Sequence, residues 1–228
     1  MKTNGLVAVR TWDLPLRIFH WLLVVLFGAQ LYSGKTGGNL MTWHMYGGYE
    51  VLTLVIFRIL WGFAGGSHAR FRDFVASPAA AWRFARRLLS SASAHSVGHN
   101  PLGGWMVLAF LAAFAVQAAT GLFANDDIAS EGPLAVLVSK DVSDRLTSVH
   151  KWNFKLLWVL VALHVAAVLY HRLVKKEDLI RAMFTGVKHV PDAVASASGT
   201  TRHPSYGVAA ILFAAAGAVV FLIVNRPF

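Results

Sequence analysis

The chain contains no cysteine. That absence excludes disulfides, thiolate-held iron–sulfur clusters and any haem attached through thioether bonds. Charge is also scarce, at 14% of the 228 residues against 56% hydrophobic, where a soluble domain carries about 25% charged residues. Acidic residues number 11 against 21 lysines and arginines, leaving a net charge of +10. No Ser-His-Asp set, phosphate-cradling loop or carboxylate pair is placed for hydrolysis or group transfer.

What the chain has in excess is long apolar runs, and its mean hydropathy is +0.54. Stretches near Pro15 to Ser33, Trp43 to Gly65, Pro101 to Asn125, Ser148 to His171 and Tyr206 to Val224 are each long enough to cross about 30 Å of hydrocarbon. The expectation is an all-α membrane protein with five spans. A basic approach precedes the first run, but the following AQLYSGK offers no small-x-small cleavage site, so it reads as a span rather than a removed signal.

The positive charge sorts by side of the membrane. Lys2, Arg10 and Arg17 precede the first span; Arg70, Arg72, Arg83, Arg86 and Arg87 lie between the second and third; Arg172, Lys175, Lys176, Arg181, Lys188 and Arg202 follow the fourth. On the other side, Lys35 stands alone between the first two spans, and Lys140 and Arg145 face Asp126, Asp127, Glu131, Asp141 and Asp144. This asymmetry places the amino terminus in the cytoplasm and the carboxyl terminus outside, and it accounts for the basic composition without nucleic acid.

SPAAAWRFARRLL, residues 77 to 89, has Ser77 as a cap and Pro78 at the first helical position. Trp82, Ala85 and Leu89 share one face and Arg83, Arg86 and Arg87 lie largely opposite, which predicts a short helix on the cytoplasmic membrane surface. A second short helix follows the fourth span, with Leu179, Ile180, Met183 and Phe184 on one side and Gly186 as its stop. Residues 191 to 205 read as a linker to the last span, 206 to 224, which has no ionisable residue and serves as an anchor or packing helix.

The segment HKWNFKLLWVLVALH, residues 150 to 164, begins and ends on histidine. Fourteen steps of about 100° bring His164 to within about 40° of His150, roughly 21 Å along one helix face. With the topology above, His44 and His150 lie near the periplasmic level and His20 and His164 near the cytoplasmic one. Paired neutral imidazoles on facing helices match what a six-coordinate haem iron requires. Arg58, fourteen residues after His44, shares its face near the cytoplasmic level; a haem propionate would satisfy it, as would snorkelling to headgroups. Gly28, Gly47, Gly48, Gly62 and Gly121 admit either a flat macrocycle or close helix packing. Glu50 is a proton acceptor or a partner of Lys151 or Lys155. His171 is a rival ligand one turn pair beyond His164. His68 and His99 fall in cytoplasmic loops, and His95, His189 and His203 read as solvated.

The segments WDLPLRIFHW (12–21), WHMYGGYEVLTLVIFRILWGF (43–63), HARFRDF (68–74), GHNPLGGW (98–105), TGLFANDDI (120–128) and AMFTG (182–186), with the two histidines of the fourth span, resemble the prokaryotic cytochrome b561 family, which includes the b-type cytochrome subunits of nickel–iron hydrogenases. The resemblance covers about residues 7 to 190. It implies a four-helix transmembrane bundle holding two b haems, bound without covalent attachment, with a fifth C-terminal helix outside the common pattern. It further implies ligands at His20, His44, His150 and His164, a bacterial inner-membrane location, and electron transfer between quinone and a periplasmic redox protein such as a cytochrome c or a hydrogenase. Whether the protein acts as a quinol-linked oxidoreductase or as a subunit of one stays open. The alternative is a haem-free transporter in which intramembrane His, Glu50 and Arg58 form a proton relay. Against it, the histidines leave the bundle midplane without an ionisable chain, where a transport site is expected.

Overall fold

The computed structural model describes residues 6–87, 96–196 and 205–225. Its elements in chain order are β1 (Leu6–Arg10), α1 (Leu14–Thr36), α2 (Met41–Ala64), α3 (Phe71–Phe74), α4 (Pro78–Arg87), α5 (Pro101–Gly121), α6 (Lys140–Leu173), α7 (Leu179–Thr185), β2 (Val187–Pro191), α8 (Asp192–Ser196) and α9 (Tyr206–Val224). Helices α1, α2, α5, α6 and α9 are long and apolar enough to cross a membrane. In hydrocarbon a helix satisfies its own backbone polar groups, which is why apolar runs of this length take that form.

Two ends differ from the hydropathy reading. α6 starts at Lys140, well before Ser148, because Ser139 caps it: the Ser143 amide donates to the Ser139 carbonyl at 3.0 Å and the Val142 amide to Ser139 Oγ at 3.4 Å. Hydropathy locates the part of a helix that suits lipid, not the helix's start. α5 ends at Gly121 rather than Asn125, since the chain folds back there, with the Leu134 amide on the Leu122 carbonyl at 2.9 Å and the Gly132 amide on the Ala124 carbonyl at 2.7 Å.

The residues form two compact units, Met1–Ile18, Leu60–Ala109 and Val161–Ala209 in one, and Phe19–Ile59, Phe110–Leu160 and Ala210–Phe228 in the other. The first holds the connections. β1 pairs antiparallel with β2 from Leu6 opposite Pro191 to Arg10 opposite Val187, a small sheet that the sequence reading did not anticipate. α7 ends as expected at Gly186, which has φ +79°, and its start is capped by Asp178, whose carboxylate accepts the Arg181 amide at 3.0 Å. Gly186 has a second constraint, because a Cβ there would sit 2.7 Å from the Trp12 carbonyl, which is drawn close by the Thr11 and Trp12 amides donating to the Gly186 carbonyl. α4 forms the expected short helix through Arg87; Leu89 lies outside the described residues. Of the expected linker, Asp192–Ser196 is helical as α8, and 197–204 lie outside the described residues.

Within the same unit Asp13 joins three elements. Its Oδ1 caps α1 by accepting the Leu16 amide at 2.9 Å, and its Oδ2 accepts the Trp61 indole N–H at 3.2 Å and the Gly66 amide at 3.4 Å. Lys188, counted above among the cations that follow the fourth span, is buried. Its ammonium donates to the Ser96 carbonyl at 2.7 Å and pairs with Glu177 at 3.2 Å.

The second unit contains a core of Val51, Val55, Ala113, Phe114 and Leu157, packed by Leu23, Phe27, Phe110 and Leu160, so α1, α2, α5 and α6 all contribute. α9 adds to α2 here. Phe213 meets Phe57 edge-on with ring centres 5.8 Å apart, and Ala216 and Val220 are buried.

Replacing Asp13 with alanine removes a helix cap and two further acceptor contacts, and should cost about 2 kcal/mol or more. Asp13→Asn, which keeps one acceptor oxygen, should cost less. Thermal unfolding of the purified variants in one detergent measures the order, and equal midpoints for wild type and Asp13→Ala would remove Asp13 as a junction.

Candidate functional site

Helices α2 and α6 bring His44 and His150 together in the second unit. Their ring centres lie 6.2 Å apart with planes inclined by 78°. Two metal–imidazole bonds of about 2 Å, with about 1.1 Å from each nitrogen to its ring centre, require a separation of about 6 Å. The spacing therefore fits one ion held between the two rings.

The hydrogen bonds around each ring set which nitrogen is available. His44 Nδ1 lies 3.2 Å from the Gln30 carbonyl of α1 and 3.2 Å from Ser33 Oγ. Ser33 already donates to the Ala29 carbonyl at 2.8 Å, so it accepts here and Nδ1 carries the proton. His150 Nδ1 donates to the Gln117 carbonyl of α5 at 2.9 Å. The Gln117 side chain confirms that tautomer: its Oε1 accepts the Asn153 amide at 2.7 Å, which turns its own N–H toward His150 Nε2 at 2.9 Å. Both rings thus present the lone pair on Nε2, the form that binds a metal, with the other nitrogen oriented by a carbonyl. On His150 an iron would take the position that the Gln117 amide occupies.

Two glycines make room for these rings. A Cβ on Gly34 would stand 2.9 Å from His44 Cε1, and one on Gly121 would stand 3.1 Å from His150 Cε1. Gly121 and Gly28 were among the glycines singled out from the sequence; Gly34 was not, although its chemistry is that of Gly28. Gly28 has open space beside it, a Cβ on Gly47 would meet Gln30 Oε1, and Gly62 faces the Phe71 ring, so Gly47 and Gly62 serve side-chain packing.

The remaining expected residues are placed as follows. His20 lies on α1 in the second unit, edge-on to Trp21 with ring centres 5.0 Å apart. His164 lies on α6 in the first unit, so their pairing stays a matter of helix position. Arg58 is only 1% exposed, which separates it from a side chain reaching out to headgroups. Glu50 is exposed, and Lys155 lies over the Trp152 ring at 3.7 Å. His171 stands 3.4 Å from Glu177 and 3.5 Å from Asn100 Nδ2. His99 is packed between Trp12 and Phe74 at 4.6 and 4.7 Å. Burial pushes the His68 pKa below the ordinary imidazole value, against the pull of Asp73. His189 is exposed on β2, and His95 and His203 lie outside the described residues.

The connection from α5 to α6 is built around Asn125, whose side-chain amide donates to Ser143 Oγ at 2.6 Å and to Asp144 at 2.9 Å. Asp126 accepts the amides of Ile128, Ala129 and Ser130, and these bonds hold its carboxyl below the usual carboxylate range. Lys140 bonds both Asp127 and Asp144. Of the five carboxylates there, Asp127, Glu131 and Asp141 are exposed at the surface, Asp127 in its pair with Lys140.

Gly34→Ala should displace the His44 ring and reduce the b haem retained by the purified protein at least twofold, as measured from the pyridine haemochrome spectrum. Gly28→Ala, with open space to fill, should leave haem content at the wild-type value. Equal haem in both variants would disconnect Gly34 from the site.

The profile of the prokaryotic cytochrome b561 family matches residues 11–186. Neither the comparison with curated proteins nor that with solved structures gave a match. The matched stretch runs from α1 through α7 and includes His20, His44, Arg58, His150 and His164, while β2, α8 and α9 lie beyond it. A match over most of the chain, on a protein with five span-length helices, makes this chain a member of the prokaryotic cytochrome b561 family and a multi-pass membrane b-type cytochrome of electron transfer.

Proposed function

We propose that the protein carries two b haems and transfers electrons between quinone in the bacterial inner membrane and a redox partner on the periplasmic side. His44 and His150 hold one iron, and His20 and His164 the other. The observation that supports this best is the His44–His150 pair, with its 6.2 Å spacing and both Nδ1 atoms directed at carbonyls. His20 lies about 9 Å into α1 and His164 about 14 Å before the end of α6, at 1.5 Å per residue. With the amino terminus cytoplasmic, both stand at the cytoplasmic level. Arg58, about 21 Å along α2 from His44, supplies a buried cation for a propionate at that level. A haem b held by two imidazoles would supply one-electron exchange rather than oxygen binding. The chain's part is to hold both imidazoles in the lone-pair-on-Nε2 form through the Gln30 and Gln117 carbonyls, and to keep the rings apart by the required distance.

The ligand assignment is tested by haem quantitation and redox titration of single variants. His44→Ala and His150→Ala should each lose the same haem, and His20→Ala and His164→Ala the other. Loss of one common haem from His44→Ala and His20→Ala would overturn the pairing.

The partner's docking surface is proposed on the connection between α5 and α6. Asp126 is committed to its own loop, and Asp127 and Asp144 share Lys140, so Glu131 and Asp141 are the carboxylates that would steer a basic face. In stopped-flow exchange with a basic periplasmic cytochrome, the association rate should fall several-fold between low and physiological ionic strength, where the Debye length shortens to about 8 Å. Glu131→Lys with Asp141→Lys should flatten that dependence. A rate indifferent to both salt and charge reversal would move docking elsewhere.

A further inference from the structure

His44 is tied to α1 at its backbone as well as at its ring. The Gln30 main-chain carbonyl accepts from His44 Nδ1 at 3.2 Å, and the side-chain amide of the same Gln30 donates to the His44 main-chain carbonyl at 2.8 Å. One glutamine thus binds one histidine at two points. Gln30, Ser33 and Gly34, spaced by three and four residues, share a face of α1, and His44, Gly47 and Gly48 share a face of α2 in the same way. The His44 carbonyl can take the amide because a helical ladder bond uses one of its two lone pairs. The glycines of α2 show that the carboxamide has a built seat. A Cβ on Gly47 would stand 2.5 Å from Gln30 Oε1, so any larger residue there turns the amide out of its position. A Cβ on Gly48 would stand 3.5 Å from Gln30 Nε2, which is ordinary contact. Of these two adjacent glycines, the amide requires Gly47.

We propose that Gln30 is a positioning residue for the haem that His44 holds, and that its side-chain amide, seated on Gly47, keeps the potential of that haem low. The proposal rests on the reading of His44 as an iron ligand. The amide joins α1 to α2 at the backbone of the ligand itself, so the distance from His44 Nδ1 to the Gln30 carbonyl is set by a second bond and not by packing alone. That second bond matters between these helices, because lipid supplies no hydrophobic force to hold them at one separation. A bond from Nδ1–H to a carbonyl makes the imidazole more basic, hence a stronger electron donor through Nε2, and stronger donation favours ferric iron. Loss of the side-chain bond lengthens the contact at Nδ1, weakens that donation and raises the potential. Gln30 acts through His44 alone.

The test uses the full-length, haem-loaded protein purified in one detergent, with haem counted, midpoint potentials titrated and the ferric low-spin signals recorded by electron paramagnetic resonance. Gln30→Met keeps the length of the side chain and removes its donor. At the ambient potential where the wild-type haem on His44 is half reduced, its ratio of reduced to oxidised form should rise at least threefold in Gln30→Met, and its highest g-value should move. Gly47→Ala, which leaves Gln30 intact and takes away its seat, should shift the ratio the same way by at least twofold; it reads the same contact if Gln30→Met retains too little haem to titrate. Gly48→Ala should leave both readouts at the wild-type value. Because Gly47 acts through the amide, Gln30→Met with Gly47→Ala should shift no further than Gln30→Met alone, whereas independent sites would add. Unchanged potentials in haem-replete Gln30→Met and Gly47→Ala, equal shifts from Gly47→Ala and Gly48→Ala, or additive shifts in the double variant would overturn the proposal and leave the ligand reading standing. A His44→Ala protein that keeps its full haem content would overturn the ligand reading and this proposal with it.

Discussion

The bond from an imidazole Nδ1 to a main-chain carbonyl of the neighbouring helix is the constraint on which the His44–His150 arrangement depends. Gln30 and Gln117 each lend a carbonyl that belongs to a helical ladder, so the imidazole uses that oxygen's second lone pair. A neutral imidazole has one donor and one acceptor, and committing the donor decides what Nε2 can do. Away from water such a bond is strengthened and its loss is costly, so the ring's orientation is well determined. Gly34 and Gly121 follow from it: rings held this closely to α1 and α5 leave no room for a Cβ.

Elsewhere the apolar and polar parts of the molecule are held by different forces. Between helices in lipid there is no hydrophobic driving force, so the contacts of Val55, Phe114 and Leu157 act through close packing. Connections outside the spans are instead tied by polar junctions at Asp13, Asn125 and Lys188, each joining segments distant in the chain. These junctions also change the meaning of the charge count. Lys188, Lys140 and Arg70 are paired internally, whereas the arginines of α4 face outward. A composition that reads as uniformly basic is in fact locally neutralised at several places, while the cations of α4 are exposed.

Much of the architecture was legible because it rests on local chemistry. Five apolar runs imply five span-length helices, since lipid offers the backbone no other partner. Ser77 with Pro78, and Gly186 after Thr185, mark helix ends because capping involves residues within one turn. The fourteen-residue interval of His150 and His164 places both on one face because the helical period is a property of the backbone itself. The identity of the family was legible in the same way, from short segments read in order.

What the tertiary structure alone decided concerns residues far apart in sequence. The pairing of β1 with β2 depends on the Gly186 turn arriving beside Trp12. Lys188 is indistinguishable in sequence from a solvated loop cation until Glu177 and Ser96 are brought against it. Gly34 and Gly28 carry the same chemistry, and only the packed position of His44 separates a required glycine from one with space beside it. The sequence by itself determined where helices form and which side chains share a face. Which faces meet, and hence that His44 and His150 stand 6.2 Å apart, was decided by packing, because van der Waals contact and hydrogen bonds between helices act only at distances that the folded chain sets.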